Sequence, residues 1–89
     1  MDKIKTTVTV AGKEYTIVSE DPVEYIKRVG TYVDRKLQEI EHASKLPSYM
    51  AAVLTAINIT DELLKAQDEN AKLRKELIRY QKSSVKKVT

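Results

Sequence analysis

The side chains able to do covalent or metal chemistry are few in this chain of 89 residues. It has one histidine, no cysteine, no tryptophan and two glycines. His42 has no second ligand at the short spacing a zinc or transition-metal site needs, so no metal site is expected. Ser19, Ser48, Ser83 and Ser84 stand in no nucleophile motif, and no base or oxyanion donor is paired with them in sequence. No glycine-rich loop leads into a helix, so nothing is built to cradle a phosphate. An enzyme is therefore not expected, and no cofactor. What remains is charge and apolar surface, the chemistry of binding.

The charge is unevenly placed. The formal net charge is +3, yet residues 65 to 89 carry eight Lys or Arg against three Asp or Glu. A basic end of this kind suits nucleic acid or an acidic protein surface. It equally suits the solvated last turns of a helix, where cations meet the negative end of the dipole. A basic coiled-coil nucleic-acid binder is the rival reading. Against it, a basic-region zipper carries its cations before the heptads, whereas here they lie among and after them. The strands also lack a pair of aromatics flanked by Arg on which bases could stack.

From Ser48 to about Lys82 there is neither Gly nor Pro, and helix-forming residues fill the stretch. At about 1.5 Å per residue a helix here reaches roughly 50 Å. A compact chain of this size has a radius of gyration of only about 12 Å. Such a helix needs a partner. Taking Leu63 as a heptad a position places Ala56, Leu63, Asn70 and Leu77 at a, and Ile59, Ala66, Leu73 and Tyr80 at d. The expected dimer interface is Ile59, Leu63, Ala66, Asn70, Leu73, Leu77 and Tyr80. Asn70 is the one polar a residue of the tail, a choice that sacrifices stability to fix register and strand number. Glu62, Glu69 and Glu76 fall at g, and Gln67, Arg74 and Gln81 at e. A parallel pair then sets no like charges against each other and brings Glu69 to Arg74.

A second apolar stripe, Met50, Val53, Ile57, Leu64, Ala71 and Ile78, runs beside the first. Near the start of the helix the rest of the protomer is expected to cover it. Ala71 and Ile78 lie beyond that cover, and are the expected contact between two dimers, giving a homotetramer.

The first half must position whatever binds. Residues 3 to 10 alternate, with Ile4, Thr6, Val8 and Val10 on one face, as a half-buried strand does. Ala11-Gly12-Lys13 is a turn, and Glu14 to Val18 returns with Tyr15 and Ile17 on one face. A lone hairpin is marginal in water, so it must lie on a helix. Asp21, Pro22 and Glu24 read as N-cap, first helical residue and capping-box partner. The helix is expected to run to about His42 with Ile26, Val29, Val33, Leu37 and Ile40 as its core stripe. Gly30 marks a close approach by another backbone. Residues 41 to 48 connect to the long helix, with Ser48 as its N-cap. The fold class is therefore α+β: a ββα head with the start of the long helix over residues 1–64, a coiled-coil tail over 65–82, and a frayed basic end over 83–89. With no cysteine, signal-type start or long apolar run, the protein is expected to be soluble and cytoplasmic.

Three stretches resemble the ZapA family of bacterial cell-division proteins. The segment from Ala52 to Leu64 (Ala-Val-Leu-Thr-Ala-Ile-Asn-Ile-Thr-Asp-Glu-Leu-Leu) is similar to that family's signature at the junction of head and tail. The alternating strand, the Gly12-Lys13 turn, the strand ending at Val18 and Asp21-Pro22 are similar to its opening. So is Tyr32-Val33-Asp34-Arg35-Lys36-Leu37-Gln38-Glu39-Ile40 in the first helix. The resemblance covers about residues 4 to 65, and the tail agrees in character. It implies a protein at the mid-cell division site that binds FtsZ filaments and bundles them, as a dimer or a dimer of dimers. By position it points to Lys13 as a contact with FtsZ. Arg28, Arg35, Lys36 and Lys45 are added from their charge and expected exposure.

Overall fold

The computed structural model describes residues 2–88, and side chains as far as Lys82. Strand β1 (Ile4–Val10) and strand β2 (Lys13–Ser19) form an antiparallel hairpin, followed by helix α1 (Val23–Ser44) and helix α2 (Ser48–Val88). The chain divides into two compact units after Ile57. The side chains of the frayed end expected for residues 83–89 lie outside the described residues.

In the first unit the register runs from Ile4 opposite Ser19 to Val10 opposite Lys13. Cross-strand partners share a face, so Thr6, Val8, Ile17 and Tyr15 point the same way. Helix α1 packs against β1. The core is small: Val8, Ile26, Leu37 and Ala51 are its buried apolar residues, joined by Thr6, Gly30 and Thr55. Gly30 allows the close approach, which is made by the Val8 side chain rather than by a second backbone. A methyl built on Gly30 would sit 2.7 Å from Val8 Cβ.

Relative to the capping pattern, α1 begins one residue later and α2 one residue earlier. The carbonyl of Pro22 accepts the N–H of Tyr25 at 3.1 Å and of Ile26 at 3.2 Å, and that of Pro47 accepts the N–H of Ala51 at 3.0 Å. Pro22 is the N-cap of α1, so no side-chain cap or capping box forms. Instead the Ser19 hydroxyl oxygen accepts the Asp21 N–H at 2.9 Å, shaping the turn into the helix. Ser48 is the first residue of α2 rather than its cap. Helix α1 outlasts the expected His42 by two residues and stops where Lys45 turns left-handed, its N–H bonded to the Glu41 carbonyl at 3.1 Å.

Two expected coverings are not found. Val29, placed in the core stripe, is 42% exposed, and Met50, Val53 and Ile57 are exposed rather than covered by the protomer. The face that α2 buries within this unit is made of smaller residues, Ala51 and Thr55, one turn apart. The Thr55 hydroxyl donates to the Ala51 carbonyl at 2.7 Å, so burying it leaves no unmet donor.

The second unit is the remainder of α2. Lys65 and Asp61, one turn apart, pair at 3.0 Å. Among the described residues no helix is long and apolar enough to cross a membrane.

Candidate partner-binding surfaces

The hairpin turn places Lys13. Ala11 and Gly12 both have positive φ, 54° and 76°, which is the two-residue turn whose twist matches the flanking strands. Lys13 follows at once, opposite Val10, and therefore lies on the face of the hairpin that carries Val8 and Tyr15. That face is only partly covered, because α1 packs on β1 and leaves Tyr15 49% and Ile17 39% exposed. The result is an open apolar groove of about 590 Å³ within the first unit. Lys13, Tyr15 and Ile17 line it from the hairpin, Val29 and Val33 from α1, and Tyr49 and Ala52 from the start of α2. Among the described residues that line it, Lys13 is the one cation and Glu41 the one anion.

Arg28 and Arg35 are brought together elsewhere. Seven residues apart on α1, they line a shallow patch with Glu24, Lys27, Thr31 and Tyr32. The Arg35 guanidinium lies 5.0 Å from the centre of the Tyr32 ring, close enough for a cation–π contact. Lys36 is less available than its charge suggested. Its side chain is only 15% exposed, with Nζ 3.8 Å from the Glu39 carboxylate and 5.9 Å from the Tyr32 ring centre. Lys45 is exposed at the end of α1. The five cations thus form no single cluster: Lys13 borders the groove, Arg28 and Arg35 share one helical face, Lys36 reaches the same Tyr32 ring as Arg35, and Lys45 lies at the end of α1.

The seam residues lie on α2. Leu63, Ala66, Asn70, Leu73, Leu77 and Tyr80 are all exposed, and Ile59 is half-buried. Ala71 and Ile78 are exposed as well. Leu63, Leu73 and Leu77, at heptad spacing, thus form an apolar stripe that is about half exposed. His42 is exposed, and among the described residues no three His, Cys, Asp or Glu side chains gather as a metal site. Sequence reasoning missed the groove and the hydrogen bond from Ala11 N–H to Asp34 Oδ1, 2.9 Å long and spanning 23 residues. Alternation marks which side of β2 faces inward, but carries no signal of how far a helix will cover it.

A family model described as cell division protein ZapA matches residues 6–88. The chain is 37% identical over 68 residues to a cell division protein ZapA of Halalkalibacterium halodurans, covering 75% of each chain. It is 37% identical over 76 residues to the ZapA of Bacillus subtilis, covering 84% of this chain and 89% of that one. Among solved structures it is similar to a ZapA mutant dimer from Geobacillus stearothermophilus. There the TM-score is 0.72 and the identity 35%, over 86% of this chain and 91% of the other.

Proposed function

Because this chain belongs to the ZapA family, whose members are non-enzymatic cell division proteins, we propose that it binds FtsZ filaments at the division site and cross-links them as a homodimer. The observation that carries the reading is the row of exposed seam residues on α2, Leu63, Leu73 and Leu77 foremost. Two such seams, zipped in parallel, give a scaffold bearing two identical heads. Each head holds a filament weakly. Once one head is bound, the second contact is made at a raised local concentration, so bundling needs valency and no further chemistry. The uncovered groove and the exposed Met50, Val53 and Ile57 supply additional apolar surface for the pairing of heads.

Lys13 is the first residue we assign to the filament contact, with Arg28 and Arg35 as a second cationic surface and Lys36 and Lys45 as lesser ones. FtsZ filaments are expected to be acidic, so binding through these cations should weaken as salt rises. Ala71 and Ile78 would allow two dimers to join through their tails.

The test is light scattering and co-sedimentation of assembled FtsZ. The full chain should raise scattering, and a chain ending at Leu64 should bind poorly and bundle little. Equal bundling by the truncated chain would remove the valency mechanism. Scattering that falls on addition of the full chain would point to a filament-capping protein instead.

A further inference from the structure

The turn that carries Lys13 is held by an unusual arrangement. Its first central residue, Ala11, has φ 54°, a region in which a Cβ crowds the following carbonyl. The residues that enter this turn readily are Asn, Asp and Gly. Ala11 has neither their freedom nor a polar side chain to bond its own backbone. Support comes instead from Asp34 on α1, whose Oδ1 accepts the Ala11 N–H at 2.9 Å. The carboxylate is itself oriented one helical turn on, where Gln38 Nε2 donates to Oδ2 at 3.0 Å. Both carboxylate oxygens are thus engaged, one by the turn and one by the helix. A hydrogen bond to an ionised acceptor is about twice as strong as a neutral one.

We propose that Asp34 is a positioning residue for partner docking: it ties the hairpin tip to α1 and so presents the Lys13 ammonium at the rim of the groove. The proposal rests on the reading of Lys13 as a contact with FtsZ. It makes a prediction opposite in sign to simple electrostatics. Asp34 is an anion close to the tip, so removing it makes the surface more positive. Charge alone would then strengthen attachment to an acidic filament, whereas loss of positioning weakens it.

The experiment uses the full chain with Asp34→Ala, Asp34→Asn and Lys13→Ala. It measures FtsZ affinity by co-sedimentation at fixed salt, and hydrogen exchange of the Ala11 amide. Circular dichroism and sedimentation confirm that each variant keeps its helix and its mass. Asp34→Ala should weaken FtsZ binding about tenfold, the size of one lost charge-assisted bond, and speed exchange at Ala11. Asp34→Asn keeps an acceptor oxygen and should recover most of both. Wild-type or tighter binding by Asp34→Ala, with binding lost in Lys13→Ala, would overturn the positioning role and leave the docking reading intact. Undiminished binding by Lys13→Ala would overturn the docking role of Lys13, and the positioning proposal with it.

Discussion

At the scale of single residues, two buried positions can be judged by what surrounds them. Thr6 is 3% exposed, and its hydroxyl has no hydrogen-bond partner among the described residues. Burying a hydroxyl without a partner costs about 1–3 kcal/mol. Thr6→Val keeps the shape and the branching that suits a strand, so it should raise stability by about 1 kcal/mol in a urea titration. Gly30→Ala should do the reverse. Alanine gains about 1 kcal/mol in helix propensity, but its methyl would meet Val8 Cβ at 2.7 Å, an atom fixed to the strand backbone. Overpacking costs typically ~1–3 kcal/mol, so a net loss of about 1 kcal/mol is expected. In a double-mutant cycle with Val8→Ala, the cost of Gly30→Ala should fall without vanishing, because the contacts to Cγ1 at 2.9 Å and Cγ2 at 3.3 Å are removed while the one to Cβ stays. The sequence shows that Gly30 interrupts a good helix. It carries no sign that the neighbour is a valine side chain from 22 positions earlier, a fact that belongs to the packing.

At the scale of elements, the hairpin and two helices are legible because each has its own period: two in β1, and the three-and-four spacing in α1 and α2. The ends are harder. Asp21 and Ser48 have the side chains that cap helices, yet Pro22 and Pro47 supply the first accepting carbonyls. The side-chain preference is real, but the backbone geometry that proline imposes decides the boundary within one residue. Coverage is harder still. Met50, Val53 and Ile57 have the hydrophobicity of a core, while Ala51 and Thr55 are what α2 buries, since small side chains allow close packing. The tail makes a sharper prediction. On the proposed seam Asn70 interrupts an otherwise apolar row, and replacing it with Leu should stabilise the pair by about 2 kcal/mol or more. It should also broaden the distribution of oligomers, since the polar pair no longer penalises other strand numbers. Thermal melts and sedimentation velocity of Asn70→Leu read both effects. A melting temperature unchanged or lowered by the substitution would mean that Asn70 does not lie in a packed seam.

At the scale of the whole molecule, membership of a non-enzymatic family directs attention to the surfaces of the protein. The candidate site was partly legible in the sequence. Lys13 and the leucine seam follow from turn and heptad, whereas the groove beside Lys13 and the Asp34 tie come from how β2 and α1 meet. Charge alone does not tell how far a cation is exposed: the Lys36 side chain is largely covered, whereas Lys45 is exposed. If the filament contact is electrostatic, Arg28→Ala combined with Arg35→Ala should reduce FtsZ bundling at low salt and flatten its salt dependence. The double variant should leave the mass of the protein unchanged, because neither residue lies on the seam.

All of this depends on the exposed face of α2 closing against a second copy. Sedimentation equilibrium of the full chain over a wide concentration range measures that directly. The mass should approach twice the 10.1 kDa of one chain, or four times where tails also join, and should fall toward a single chain when Leu63, Leu73 and Leu77 are replaced by Asn. A folded, concentration-independent species of 10.1 kDa from the unaltered chain would contradict it.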